Sequence, residues 1–286
     1  MLASAKDLMT HAQKEKYALG AFNTCNLEIT QAIIRAAEAK KSPAVIQVSE
    51  ASIKYAGFRT IVGMIQTLIA TSTVPLALHL DHGRSYEIAV LCIEAGFSSI
   101  QIDGSNLSFS DNVKLMKKVV KYAHKNNVFV QGEIDKTPGG HAGVTSEIEI
   151  HKNGLTDPDK AKKFIEETEI DSFAVSIGNA HGFFEGAVQL EFDILKEVRS
   201  KVKVPLVLHG GSGIPNKLIK QAIEFGISKI NIDSDIRFAF AYTLRDLFNA
   251  PLSTIDPRDI LSEARDAMQE VIEKKIDVFG SAEHAN

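Results

Sequence analysis

The stretch LALHLDHG, Leu76–Gly83, reads as a leucine-rich β-strand that stops on an aspartate followed at once by a histidine. Seven further short apolar runs of the same character recur along the 286-residue chain. They are ALGAFN (18–23), AVIQVS (44–49), SIQID (99–103), FVQGEI (129–134), SFAVSI (172–177), LVLHGG (206–211) and KINIDS (229–234). Successive starts of the eight lie 26, 32, 23, 30, 43, 34 and 23 residues apart, a spacing that suits strand–helix–strand units.

Helical patterns fill the intervals. After the first run, Ile29, Ala32, Ile33, Ala36 and Ala37 share one helix face, with Asn26 placed to cap and Glu28 in the first turn. SYEIAVLCIEAG begins on a Ser85 cap and ends at Gly96. DPDKAKKFIEET pairs Asp157 as cap with Pro158 at the first helical position, and PNKLIKQAIEFG is expected to begin at Pro215 in the same way. Eight such units predict an α/β chain folded as a (β/α)8 TIM barrel, with an additional C-terminal helix in PRDILSEARDAMQEVIEKKIDVFG. That helix carries the stripe Ile260, Leu261, Ala264, Ala267, Met268, Val271 and Ile272, suited to padding the barrel or to a subunit interface. A doubly wound open sheet is the alternative, but no G-x-G-x-x-G follows the first strand. No linker interrupts the pattern, so residues 1–286 are expected to form one domain.

Composition narrows the function. With 44% hydrophobic and 24% charged residues, the chain has enough apolar material for a large core. A net charge of −4 gives no reason to expect nucleic acid as a partner. No apolar run approaches the about 20 residues of a membrane span, so no membrane partner is expected. The opening MLASAKDLMTHAQKEK lacks the apolar segment of a secretory signal and reads as a short amphipathic helix. Two cysteines, Cys25 and Cys92, make no disulfide framework, and cytoplasmic residence is expected.

Active sites of such barrels form at the C-terminal strand ends. The residues there are Asn23, Ser49, Asp81 with His82, Asp103, Glu133, the turn Asn179–Gly182, His209–Ser212, and Asn231 with Asp233 and Ser234. His82, His181 and His209 come from three separate strands, 99 and 28 residues apart. Two readings stand: a catalytic metal site with three protein ligands and one open position, or three hydrogen-bonded rim residues. Asp81 likewise suits either a general acid/base beside the metal or an N-cap for the next helix. Adjacent strand residues face opposite ways, so Asp81 and His82 are expected to address one site only where the strand has ended. His79 lies on the Asp81 side of the strand and is expected to support that acid from within the barrel. LHGGSGIP offers Gly210, Gly211, Gly213 and the Ser212 hydroxyl before a helix N-terminus, which reads as a phosphate cradle or a tight turn. His209 immediately before it favours the cradle.

Taken together, LHLDHG, SIGNAHG, LHGGSGIP and KINIDSDIR resemble the class II, metal-dependent fructose-bisphosphate aldolase family, which also includes tagatose-bisphosphate aldolases. QVSEASIKYAG, DPRD and EARDAM fit it too, so the resemblance spans essentially the whole chain in order. It implies a zinc-dependent lyase of glycolysis and gluconeogenesis. Its reaction is reversible cleavage of fructose 1,6-bisphosphate to dihydroxyacetone phosphate and glyceraldehyde 3-phosphate. By the resemblance, His82, His181 and His209 hold Zn²⁺ and Asp81 is the acid/base. Glu133 and Asp103 are carboxylates behind the metal, or alternate ligands to it. Gly182, Gly210, Ser212, Asn231 and Ser234 hold the dihydroxyacetone phosphate half, with Asn23 beside them and a monovalent cation, Na⁺ or K⁺, at the phosphate. Asp233 meets sugar hydroxyls, and Ser49 and Arg237 sit at the other phosphate. Arg258 of DPRD reaches a neighbouring subunit's site, which implies a homodimer or homotetramer. Zn²⁺ would draw the charge of the developing enediolate onto the C2 oxygen, so no lysine Schiff base is required.

The chain departs from the family pattern in three places. Where the family's mobile loop after the fifth strand usually carries an acid, GGHAGV has His141 and Ala142, with Glu147 as the candidate substitute. Glu185 stands where many members have lysine, and QGEID replaces the usual EAELG. These bear on substrate detail more than on reaction class. Asp233 in NIDSD favours fructose over tagatose as the sugar. A metal-dependent hydrolase would want a fourth protein ligand or a second metal. A non-catalytic sugar-phosphate-binding barrel is the other alternative.

Overall fold

The computed structural model describes residues 2–135, 137, 139–145, 154–184, 188–250 and 254–285. Eight parallel strands close into a barrel: β1 (Leu19–Asn23), β2 (Ala44–Ser49), β3 (Leu76–Gly83), β4 (Ser99–Ile102), β5 (Phe129–Gly132), β7 (Ser172–Val175), β9 (Leu206–Leu208) and β10 (Ile227–Ile232). They neighbour one another in that order, and β10 returns to pair with β1. Each apolar run is one of these strands, so the chain is a TIM barrel and not an open sheet. Several runs outlast their strands: Glu133 and His209–Gly211 lie just beyond β5 and β9, as irregular chain at the rim. Sequence reading missed one element, a two-stranded parallel sheet of β6 (Gly139–Thr145) and β8 (His181–Phe184) that ties the loops after β5 and β7 together.

Helix starts follow local chemistry. Asn26 Oδ1 accepts from the Ile29 amide at 3.0 Å, Ser85 Oγ from that of Ile88 at 3.2 Å, and Asp157 Oδ1 from those of Asp159 and Lys160. Pro215 corrects its expectation. Its ψ of 137° is extended, so it is the cap and the helix begins at Asn216. Its carbonyl still accepts from the Leu218 and Ile219 amides, which is why the proline serves there without a side-chain acceptor.

Two apolar layers hold the barrel. Outward residues such as Ile46, Leu78, Leu80, Ile100, Val130, Leu208 and Ile230 pack under the helices. The C-terminal helix Pro257–Phe279 joins this layer through Met268, Ile272, Ile276 and Phe279, each worth about 1.5–3 kcal/mol when fully buried. It lies against the helices Leu27–Ala39 and Ser234–Asn249, so padding the barrel is one use of its stripe.

Inward residues change character along the strands. At the N-terminal end Leu19, Ala21, Val45, Ala77, Phe129, Ala174 and Val207 meet Met9 and Ala12 of the first helix, Ala5–Glu15. Two residues further along come Gln47, His79, Gln131 and Lys229, all buried. The alternation then brings Asn23, Asp81, Glu133, His209 and Asn231 to the rim. The apolar plug thus keeps water from below, and most polar groups above it find a protein partner, His79 Nε2 being an exception.

Candidate active site

The pairing of β3 with β4 explains how Asp81 and His82 share one site. Leu80 pairs with Ile100 but Gly83 with Ile102, so β3 carries one extra residue, a β-bulge. His82 adopts φ of 53°, in the left-handed region that non-glycine residues seldom enter. This corrects the expectation that the strand ends at Asp81. The strand runs to Gly83, and the bulge, not an early end, turns consecutive side chains to one side. Asp81 is not a helix cap either, because Ser85 fills that position. The Asp81 carboxylate is buried, accepting from Asn23 Nδ2 at 2.7 Å and Asn231 Nδ2 at 3.5 Å. Burial opposes its charge, but His82 and His209 outweigh burial and hold Asp81 well below the usual carboxylate range.

His82, His181 and His209 each bring one ring nitrogen into a cluster whose atoms lie within 4.8 Å of one another. His82 Nε2 and His209 Nδ1 are 3.1 Å apart. The other nitrogen of His82, Nδ1, faces Asp103 Oδ2 at 3.2 Å and Glu133 Oε1 at 3.3 Å. A carboxylate taking the far N–H of an imidazole is the usual support of a metal-binding histidine. Three acids, Asp81, Asp103 and Glu133, therefore surround His82 and raise its pKa well above the ordinary histidine value despite burial. His82, Asp103 and Glu133 form a second group able to hold a metal. Burial pushes the Glu133 carboxyl up to about 7 against the pull of His82. Asp103 is held low by His82 and Ser105, which override its own burial. The donor set suits a divalent cation: nitrogens converge at close range and negative charge lies behind them.

Beside the histidines opens a narrow cleft lined by Asn23, Asp81, His181, Gly182, Gly210, Ser212, Asn231, Asp233 and Ser234. Gly210 has φ of 60°, and a Cβ there would run into the Ala180 carbonyl oxygen. Asn179 fixes the same approach by donating to the His209 carbonyl at 3.0 Å, which sets the His181 turn against β9. Ser212 Oγ accepts from the Asp233 and Asp235 amides at 3.3 and 3.2 Å, joining the glycine loop to the start of the helix Ser234–Asn249. Backbone N–H groups at a helix start beside glycines suit an anion.

Other expected residues fall nearer or further. Ser49 lies opposite Asp81 in the β2–β3 register, buried, with its Oγ capping the helix Glu50–Ala56 through the Ser52 amide. Arg237 Nε donates to Asp233 Oδ1 at 2.6 Å. Arg258 is 87% exposed, pairs with Asp256, and does not line the cleft of its own chain. His79 supports Asp81 by charge and not by a hydrogen bond: its Nδ1 bonds Ser99 Oγ at 2.7 Å on the neighbouring strand, while its field helps hold the Asp81 carboxyl low. Glu147 and Glu185 lie outside the described residues. His141 and Ala142 belong to the β6 backbone.

Sequence reading missed the amide layer below the rim. Gln131 Nε2 meets His209 Nε2 at 2.7 Å, Gln101 Nε2 donates to Glu133 at 2.9 Å, and Gln47 Nε2 donates to Asn23 at 2.9 Å. The signal was present as glutamine two residues before a rim residue in β2, β4 and β5.

A closed barrel with a histidine cluster able to hold a metal, beside a glycine-lined cleft at its C-terminal rim, is the arrangement of a candidate metal-assisted enzyme. Residues 3–284 match the family described as Fructose-bisphosphate aldolase class-II. The chain is 39% identical to the fructose-bisphosphate aldolase of Staphylococcus aureus over 99% of both chains. It is 40% identical to that of Geobacillus stearothermophilus over 98% of both. The solved structure of the YdjI aldolase from Escherichia coli K12 superposes with a TM-score of 0.87 at 35% identity, covering 100% of each chain. The chain belongs to the class II fructose-bisphosphate aldolase family.

Proposed function

We propose that this cleft reversibly cleaves fructose 1,6-bisphosphate to dihydroxyacetone phosphate and glyceraldehyde 3-phosphate, as a carbon–carbon lyase. The observation that carries the reading is the cluster of His82, His181 and His209 nitrogens within 4.8 Å of one another, beside the buried Asp81. Family membership supports a sugar bisphosphate as substrate, and Asp233 is the reason to prefer fructose to tagatose.

Zn²⁺ is the ion this donor set fits best, held by the three histidines, with Asp103 and Glu133 behind His82. When bound, it supplies a Lewis acid for the negative charge that develops on the substrate's C2 oxygen as C3–C4 breaks. Asp81 takes the proton of the C4 hydroxyl in cleavage and returns it in condensation. That role needs an ionised carboxylate at neutral pH, which His82 and His209 favour. Gly182, Gly210, Ser212, Asn231 and Ser234 hold the dihydroxyacetone phosphate end, where Na⁺ or K⁺ would offset charge. Asn23 orients Asp81 at the cleft wall. Asp233 meets the sugar hydroxyls, while Ser49 and Arg237 serve the second phosphate. Anchoring both ends lets binding energy position the scissile bond. Arg258 serves the site of a neighbouring copy in a homodimer or homotetramer, and the chain works as one domain in the cytoplasm. Among the described residues no helix is long and apolar enough to cross a membrane.

The test is product identity. Incubation with fructose 1,6-bisphosphate yields both triose phosphates in equal amounts. Release of inorganic phosphate would mean a hydrolase, and tight binding without turnover a silent barrel.

A further inference from the structure

Lys229 lies buried inside the barrel, and its ammonium group has three acceptors, all side-chain amide oxygens. They are Gln47 Oε1 at 2.7 Å, Asn231 Oδ1 at 2.9 Å and Gln131 Oε1 at 3.1 Å. Burial lowers the Lys229 pKa to about 7 against the pull of Asp81, and in the protonated form all three N–H bonds are taken by these oxygens and no lone pair is left for attack on a carbonyl. An amide whose oxygen is held must turn its NH₂ the other way, and here all three turn towards the rim. Asn231 Nδ2 reaches Asp81 Oδ1 at 3.5 Å. Gln47 Nε2 donates to Asn23 Oδ1 at 2.9 Å, and Asn23 Nδ2 donates to Asp81 Oδ2 at 2.7 Å. Gln131 Nε2 meets the His209 ring. Two chains of amides thus leave one ammonium and end on the two oxygens of one carboxylate.

We propose that Lys229 is a positioning residue for the aldol reaction, fixing the direction of the Gln47, Asn23 and Asn231 amides so that both Asp81 oxygens are held by N–H donors. The inference rests on Asp81 being the acid/base. A side-chain amide can flip at little cost when nothing distinguishes its ends. Lys229 distinguishes them, because an ammonium repels the NH₂ end. Without it, either arm can present an oxygen to the carboxylate, repel it, and rotate it away from the substrate hydroxyl. The cost falls on the proton transfer, hence on kcat, and not on the phosphate contacts that dominate KM.

The test is a mutant cycle read on the metal-loaded enzyme. Lys229→Met should lower kcat by about 100-fold, the scale of a small misplacement of a reacting group, with KM changed less than about threefold. In an Asp81→Asn background, the same substitution should cost almost nothing more, because the group it positions is already disabled. Gln47→Met, which cuts one arm and leaves the lysine, should give a smaller kcat loss with the same dependence on Asp81, and it decides the matter if Lys229→Met does not fold. Equal losses in both backgrounds would overturn the positioning role, since a general structural defect does not depend on Asp81. Near-normal turnover of Asp81→Asn alone would instead overturn the functional reading beneath it.

Discussion

Asp81 and His82 are chain neighbours whose side chains meet in one cleft, with Asp81 Oδ1 and His82 Nε2 3.9 Å apart. The β-bulge and the left-handed φ of His82 produce this, and under the proposed function they let two consecutive residues serve as proton-transfer group and metal ligand. The two substitutions should therefore fail differently. Asp81→Asn should keep about one metal per chain and lose about 10²–10⁴-fold in kcat. His82→Ala should lose the metal on dialysis, as elemental analysis would report. Metal loss from Asp81→Asn, or full metal in His82→Ala, would contradict the division of labour.

Glu133 gives a pH prediction for the chelator-stripped protein. Burial raises its carboxyl from an ordinary 4.5 to about 7, so between these values the folded chain keeps a proton that the unfolded chain has lost. The stabilising contribution is complete below 4.5 and is lost as pH rises towards 7, by up to about 1.4 kcal/mol per pH unit. Glu133→Gln carries no such proton. Its urea midpoint should fall less steeply across this window than that of the parent, and parallel profiles would refute the assignment.

Gly210→Ala addresses the approach between the His181 turn and β9. The new Cβ would meet the Ala180 carbonyl at a backbone angle that only glycine tolerates freely. The loop must retreat, at about 1–3 kcal/mol, and with it His209 leaves His181. A lower Tm together with weaker metal retention is expected. Lower Tm with unchanged metal binding would separate the glycine from the metal site.

Much of this was legible in the chain. The eight strands announced themselves as apolar runs at regular intervals, and Asn26, Ser85 and Asp157 cap as their residue types suggest, because strand and cap formation are local. The bulge at His82 was not legible, since it is defined by the register with β4, a pairing no local pattern encodes. The hydrogen bond of His79 was not legible for a related reason. His79 shares a side with Asp81, but its hydrogen bond goes to Ser99, its partner in the β3–β4 register. Nothing local to KINIDS marks Lys229 out. Only closure of the barrel shows that Gln47 and Gln131, from distant strands, converge on it.

Arg237 holds Asp233 at the cleft wall, where we propose that it sets the sugar preference. Side-by-side kcat/KM values should favour fructose over tagatose 1,6-bisphosphate by at least about tenfold, the scale of one well-placed hydroxyl contact. A preference for tagatose would move the specificity to other residues.

The central claim is that His82, His181 and His209 hold the ion on which cleavage depends. The direct measurement is the rate of triose phosphate formation from fructose 1,6-bisphosphate before chelation, after complete metal removal, and after adding back Zn²⁺. Activity should disappear with the metal and return as zinc approaches one ion per chain. Undiminished cleavage by the metal-free protein would contradict it.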